Sequence, residues 1–218
     1  SKSKNFYGGH GIVAAQVPLG AGIAFANKYR KNKNICFTYF GEGAANQGQV
    51  YETFNMASLW KLPVVFVIEN NQYAMGTSIQ RSSSTEAMHA RGKAFNIPGK
   101  EVNGMDVREV AKESEKAAEH CRSGKGPYIL EMKTYRYRGH SMSDPAKYRT
   151  REEVQKIKEE RDPIDNLREL IIENHNITEK KFKEIDKEVK MSVTEAATFA
   201  VESPLPDISE LWTDVYTN

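Results

Sequence analysis

Cysteine is scarce in this chain: of 218 residues, only Cys36 and Cys121 are thiols. Two such residues make no disulfide framework, and Cys36 falls in an apolar run that reads as a buried strand. A reducing compartment is therefore expected. Charge of either sign is not in excess. Thirty-one Lys and Arg stand against 29 Asp and Glu, a formal net charge of +2, which argues against a polyanion binder driven by electrostatics. No apolar run approaches the length of a membrane span, and no repeat or low-complexity segment is visible. What remains, 39% hydrophobic and 28% charged, is ordinary for a globular protein. The length suits one α/β domain with an extension.

The chain is organised around residues 35–73. Ile35 to Phe40 is short, apolar and β-favouring, and Gly41-Glu42-Gly43 breaks it. Val50, Phe54, Ala57 and Trp60 recur at helical spacing, Pro63 ends that helix, and Val64-Val65-Phe66-Val67-Ile68 is an unbroken apolar strand. Such runs suit parallel strands buried on both faces. The unit reads as βαβ. Glu42 follows its first strand, and Glu69, Asn70 and Asn71 close its second, at the edge where open α/β sheets bind ligands.

The chemistry of these groups suits a hard cation holding a phosphate. Glu42 offers a carboxylate, Asn71 an amide oxygen, and a main-chain carbonyl near Tyr73 a third oxygen. Mg²⁺ takes oxygen ligands and shares them with substrate phosphates. Gly43-Ala44-Ala45 carries no bulky side chain, so main-chain N–H groups can approach an anion at a helix start. Taken singly, Gly-Glu-Gly and Asn-Asn are ordinary turns. Set at the two ends of one βαβ unit, they form a candidate site. No GxGxxG opens the first βα turn, which argues against a dinucleotide-binding oxidoreductase.

Gly41-Glu42-Gly43 and Asn70-Asn71, separated by residues 44–69, resemble the thiamine-diphosphate motif. The words around them, AANQGQVYETFNMASLWKLPVVFVIENNQYAMGTS, resemble the α subunits of the pyruvate dehydrogenase E1 component, in the thiamine-diphosphate-dependent 2-oxo acid dehydrogenase family. The likeness begins at NFYGGHGIV, runs to about Pro163 and continues more loosely to the end. Two positions depart from the family pattern. Glu42 stands where the family usually has aspartate, and Ala14 where it more often has glycine. Since Ser1-Lys2-Ser3-Lys4 runs straight into a motif that normally lies well inside the chain, a fragment lacking the N-terminal portion is expected.

The resemblance implies a fold and a site. The fold is α/β, a mostly parallel sheet flanked by helices, with a C-terminal helical extension: residues 1–150 hold thiamine diphosphate and Mg²⁺, and residues 151–218 serve assembly. The metal ligands implied are Glu42, Asn71 and the Tyr73 carbonyl. Gly43 and Ala44 bind the diphosphate through main-chain N–H groups, Gly11 and Val13 lie beside the cofactor, and His140 reaches the diphosphate from a loop. The activity implied is oxidative decarboxylation of pyruvate with acetyl transfer to the lipoyl domain of E2. It requires an E1 β subunit in a heterotetramer of two α and two β subunits, with no nucleic acid and no membrane involved. Bacterial cytoplasm is favoured, with the mitochondrial matrix for a eukaryotic chain. The alternatives are another 2-oxo acid or acetoin as substrate, or a non-catalytic truncated scaffold.

The rest of the chain supplies elements around this unit. Pro18 to Tyr29, rich in small residues, reads as a closely packed helix entered through the glycine-rich turn Tyr7-Gly8-Gly9-His10-Gly11. Gln80 to Thr85 reads as a mobile loop and Glu86 to Phe95 as helical. Asp106 with Glu109 forms a capping box for a helix over 107–121, and Tyr128 to Thr134 alternates as a third strand. RYRGHSMSDP, residues 136–145, is either a loop that packs its tyrosines and pairs its arginines or, as the resemblance implies, a mobile active-site loop. Ser141 and Ser78 match positions phosphorylated in animal members, where added negative charge beside a diphosphate inhibits. Thr150 and Glu153 open a helix to about Arg161, Ile164 to Asn174 forms another, and Thr178 opens a long one with the apolar stripe Phe182, Ile185, Val189, Val193, Ala196 and Ala200. The tail carries Leu211, Trp212, Val215 and Tyr216, which suit either subunit contact or packing on the chain's own domain.

Overall fold

The apolar runs assemble into one parallel sheet. In the computed structural model, which describes residues 2–175, 177–213 and 215, strands β1 (Cys36–Gly41), β2 (Val64–Asn70), β5 (Gly99–Asn103) and β6 (Tyr128–Lys133) lie in the order β1-β2-β6-β5. Every pairing among them is parallel, with Phe40 opposite Ile68 and Asn70 opposite Lys133. A two-stranded antiparallel hairpin, β3 (Tyr73–Ala74) with β4 (Thr77–Ser78), follows β2.

Helices cover both faces because the strands are apolar on both. One face buries Phe40, Phe66, Ile68 and Ile129 against α1 (Gln16–Tyr29), α2 (Gly48–Leu59) and a 3-10 helix over Met88–Phe95. The other buries Val65, Val67, Leu130 and Met132 against α4 (Val107–Arg122) through Ala117 and Cys121. The close packing expected of the first helix is present. A Cβ on Gly20 would lie 2.6 Å from Thr38 Cβ, so only glycine lets α1 settle on β1. Thr38 Oγ1 donates to the Gln16 carbonyl at 2.9 Å across the same contact.

Several local expectations are revised. The strand β5 is absent from the sequence reading because Lys100, Glu101 and Asn103 are exposed and only Val102 is buried, the charged pattern of a protected edge. Part of the expected loop over 80–85 folds as the single-turn helix α3 (Ile79–Ser82), pinned by buried Ile79. The helical expectation over 86–95 becomes a 3-10 helix ended by Asn96 in the left-handed region, φ 56°. Asp106 caps α4 by accepting from Arg108 N–H at 2.9 Å, but Glu109 accepts from Asn103 N–H rather than closing the box. In α5 (Arg151–Arg161), Thr150 accepts from Glu153 N–H at 3.1 Å.

The chain divides into two compact units, residues 1–167 and 168–218, where the sequence reading changed domain after residue 150. The helix α5 belongs to the first unit because Glu153 accepts hydrogen bonds from Tyr73 and Tyr135. The helix α6 (Pro163–His175) starts with Pro163 at its first position, where no N–H is needed. In the second unit, α7 (Glu179–Glu202) is held near its start by Arg168, which pairs with Glu179 and sits 5.1 Å over the Phe182 ring. Along α7, Ile185, Val189 and Val193 are exposed, as are Leu211, Trp212 and Val215 of the tail; Tyr216 lies outside the described residues. No helix is long and apolar enough to cross a membrane among the described residues.

Candidate functional site

The site begins where β1 and β2 end. Phe40 faces the core, and two residues on, past Gly41, Glu42 is carried into the interior at 3% exposure. Its Oε2 accepts the Asn71 N–H at 3.3 Å, while its buried Oε1 meets no hydrogen-bond partner. Burial pushes this carboxyl above its ordinary range, against the Glu42 and Asn71 N–H groups and the Arg136 charge, which favour ionisation. Asn71 Oδ1 accepts from Tyr73 N–H at 3.3 Å, so the two residues share one turn. Gly43 lies against the following hairpin, and a Cβ there would approach Ala74 Cβ to 2.5 Å. After it, Ala44–Asn46 makes a 3-10 turn leading to α2.

Glu42, Gly43, Asn71 and Tyr73 are thereby brought together, with Ala44 next to Gly43 on the turn. Gly11 and Val13 are exposed, and the Val13 carbonyl accepts from Gln49 Nε2 at 2.9 Å. The imidazole of His140 is exposed, and its main-chain N–H donates to Asp144 Oδ2 at 2.7 Å.

The loop after β6 closes over the hairpin through residues to which the sequence reading gave no role of their own. Arg136 donates to the Tyr73 carbonyl at 3.0 Å, to the Met75 carbonyl at 2.5 Å and to Tyr148 Oη at 2.8 Å. Tyr148 Oη donates on to Asp144 Oδ2 at 2.9 Å. The N–H bonds from His140 and Ala146, then the Tyr148 hydroxyl and the Arg136 charge, hold the Asp144 carboxyl below its usual value. Arg149 donates to the carbonyls of Arg136 and Arg138, with its guanidinium 5.3 Å from the Tyr135 ring centre and 5.6 Å from that of Tyr148. Interleaved arginines and tyrosines were the visible signal for this cluster; their partners were not. Beside it, at the C-terminal ends of β5 and β6, opens a cleft of about 620 Å³ lined by Tyr73, Glu101, Lys133, Tyr135, Glu153 and Arg161 among others.

The residues present fit a diphosphate-held metal on two observations of this chain. The buried Oε1 of Glu42 lacks a donor at the turn that carries Asn71 and Tyr73, and Gly43 marks a turn where a side chain has no room. A parallel sheet covered by helices on both faces, with polar groups gathered at the C-terminal ends of its strands, defines a protein of the open α/β class, which binds ligands at that edge.

Within that class the chain belongs to the dehydrogenase E1 component family, whose profile matches residues 1–209. It is similar to the pyruvate dehydrogenase E1 component subunit alpha of Rhizobium meliloti (strain 1021), 60% identical over 215 residues, covering 99% of this chain and 62% of that protein. The subunit of the same name from Rickettsia bellii (strain RML369-C) is 57% identical over 211 residues, covering 97% and 64%. A testis-specific mitochondrial form from Rattus norvegicus is 56% identical over 215 residues, covering 98% and 54%. The chain thus spans between 54% and 64% of the length of these relatives.

Proposed function

We propose that this chain is the part of a pyruvate dehydrogenase E1 α subunit that holds Mg²⁺ and the diphosphate of thiamine diphosphate. Glu42 carries the reading: its buried Oε1 has no donor, beside Asn71 and Tyr73. An ionised oxygen left so costs several kcal/mol, on the order of the desolvation of one ion, and a bound cation removes that cost. Glu42 and Asn71 supply side-chain oxygens and Tyr73 its carbonyl, each keeping a lone pair beyond the hydrogen bonds described. The side chain of Glu42 is longer by one methylene than the family's usual aspartate, so an octahedral site here takes up about one bond length of extra reach or binds its metal more weakly.

Gly43 and Ala44 bind the diphosphate through N–H groups, Gly11 and Val13 line the cofactor, and His140 reaches the diphosphate from the loop over 136–145. When bound, thiamine diphosphate supplies the electron sink for decarboxylation of a 2-oxo acid. The chain's own task is to hold and orient it and, with the loop, to exclude water. Pyruvate as substrate and a β subunit as partner follow from the names of the relatives. Acetyl transfer to an E2 lipoyl domain, assembly as a heterotetramer of two α and two β subunits and a bacterial cytoplasmic setting complete the proposal.

The test is a calorimetric titration of thiamine diphosphate into the full chain complexed with its β partner. Saturable heat in Mg²⁺, abolished by EDTA and by Glu42→Ala, is the expected result. No heat in either buffer from an intact complex removes the cofactor assignment.

A further inference from the structure

Asn70, next to the proposed ligand Asn71, is fully buried. Its Oδ1 accepts the Gln72 N–H at 3.1 Å and Gln72 Nε2 at 3.3 Å, and its carbonyl accepts the Thr134 N–H at 2.9 Å. One side chain thus closes the turn that carries Asn71 and Tyr73. The orientation of that amide is set from outside the turn: Asn70 Nδ2 donates to Glu131 Oε1 at 2.7 Å.

Glu131 is itself fully buried in mid-sheet. On β6 it lies two residues beyond Ile129, and on β2 Asn70 lies two beyond Ile68, so the period of two puts both on the face that buries Ile129 and Ile68. Besides Asn70, Glu131 receives Lys133 Nζ on Oε1 at 3.1 Å, and on Oε2 the His89 N–H at 2.9 Å and His89 Nδ1 at 2.7 Å. Burial alone pushes this carboxyl up, but together those bonds outweigh it and hold it low. His89, Glu101 and Glu131 bring ligand atoms within 4.8 Å of one another. Yet Lys133 already stands between the two glutamates, at 3.1 and 3.8 Å, and both Glu131 oxygens are taken, so the cluster is not a cation site. A buried, fully bonded carboxylate adds little stability over an apolar pair of like volume, which leaves conformational specificity as its use.

We propose that Glu131 is a positioning residue for the metal: through Asn70 it locks the 70–73 turn in the conformation that presents Asn71 Oδ1 and the Tyr73 carbonyl beside Glu42, and through His89 it ties that turn to the 88–95 helix. The inference rests on the metal site proposed above. Its signature is polarity. In Glu131→Gln, an amide donor faces either Asn70 or His89, both donors. In Asn70→Asp, two carboxylates face each other. The double exchange restores one donor and one acceptor at the contact, with the amide oxygen at 131 still open to His89.

The test uses the full chain with its β partner and thiamine diphosphate, with Mn²⁺ as the paramagnetic stand-in for Mg²⁺ and its free concentration read by electron paramagnetic resonance. Each single exchange is expected to weaken Mn²⁺ binding by about 10- to 100-fold, the usual effect of disturbing an outer-shell partner. The double exchange is expected to return to within about threefold of wild type, because the two sites are directly coupled. A merely structural role lowers melting temperature without this reversal. Singles that bind Mn²⁺ like wild type, or a double as weak as the weaker single, overturn the inference. If the singles do not fold, the double decides alone: near-wild-type affinity supports the inference and more than tenfold loss overturns it. A wild-type complex that binds no Mn²⁺ overturns the cofactor reading and this inference with it, whereas normal wild-type binding with unchanged singles overturns this inference alone.

Discussion

Glu42 is a carboxylate folded into an interior that does not satisfy it, and its titration reports that conflict. Burial raises its pKa, so the folded chain holds this proton more tightly than the unfolded chain does. Stability without ligand therefore falls as pH rises from the ordinary carboxylate value of 4.5 through the raised one. Glu42→Gln is expected to flatten that limb and to stabilise the ligand-free protein at neutral pH by on the order of 1 kcal/mol, because the amide cannot ionise while its oxygen still accepts the Asn71 N–H. Thermal melts across the pH range measure this, and the order reverses with Mg²⁺ and thiamine diphosphate if Glu42 is a ligand. At Gly43 the argument is steric. A Cβ would stand 2.5 Å from Ala74 Cβ, which is fixed to the main chain and has no rotamer to escape into. Gly43→Ala should cost about 1–3 kcal/mol as overpacking, and adding Ala74→Gly should recover most of it in urea titrations.

Elements in this fold are joined by a few polar tethers as much as by the core. The end of β6 is tied to α5 by Glu153, which accepts from Tyr135 at 2.6 Å and Tyr73 at 3.3 Å. Burial, reinforced by Glu153, pushes the Tyr135 phenol up to about 12. A raised acid keeps its proton longer in the folded state, so stability drains as pH climbs from the ordinary phenol value of 10.0 towards about 12. Tyr135→Phe should cost about 0.5–1.5 kcal/mol at neutral pH, one net hydrogen bond, and make the alkaline limb shallower in pH-jump unfolding. Elements that announced themselves in the sequence were those with strong local terms. The run Val64–Ile68 is apolar at every position and became the central strand β2. Thr150 and Asp106 cap the helices they precede. Strand β5 was hidden because charge protects its edge, so only Val102 signals burial.

Across the whole molecule, the second unit carries apolar surface that is exposed among the described residues: Val189, Val193 and Phe199 of α7 are 57%, 64% and 75% exposed. Isolated chain is expected to self-associate with rising concentration, and Val189→Lys with Val193→Lys to suppress this in sedimentation velocity without lowering the first unit's melting temperature. The primary structure by itself determined the βαβ unit, its parallel class and the oxygen-bearing side chains at the strand ends, because periodicity, strand-breaking glycines and helix caps act within a few residues. Only the tertiary structure decided what those side chains meet. The Arg136 fork reaches carbonyls 63 and 61 residues away at Tyr73 and Met75, and Asn70 finds Glu131 61 residues on. The sequence reading gave Glu131 no role within its alternating third strand. Its role emerged when β2 and β6 paired in register and put two buried side chains on one face, since the cost of burying a charge is set by neighbours that the local sequence does not contain.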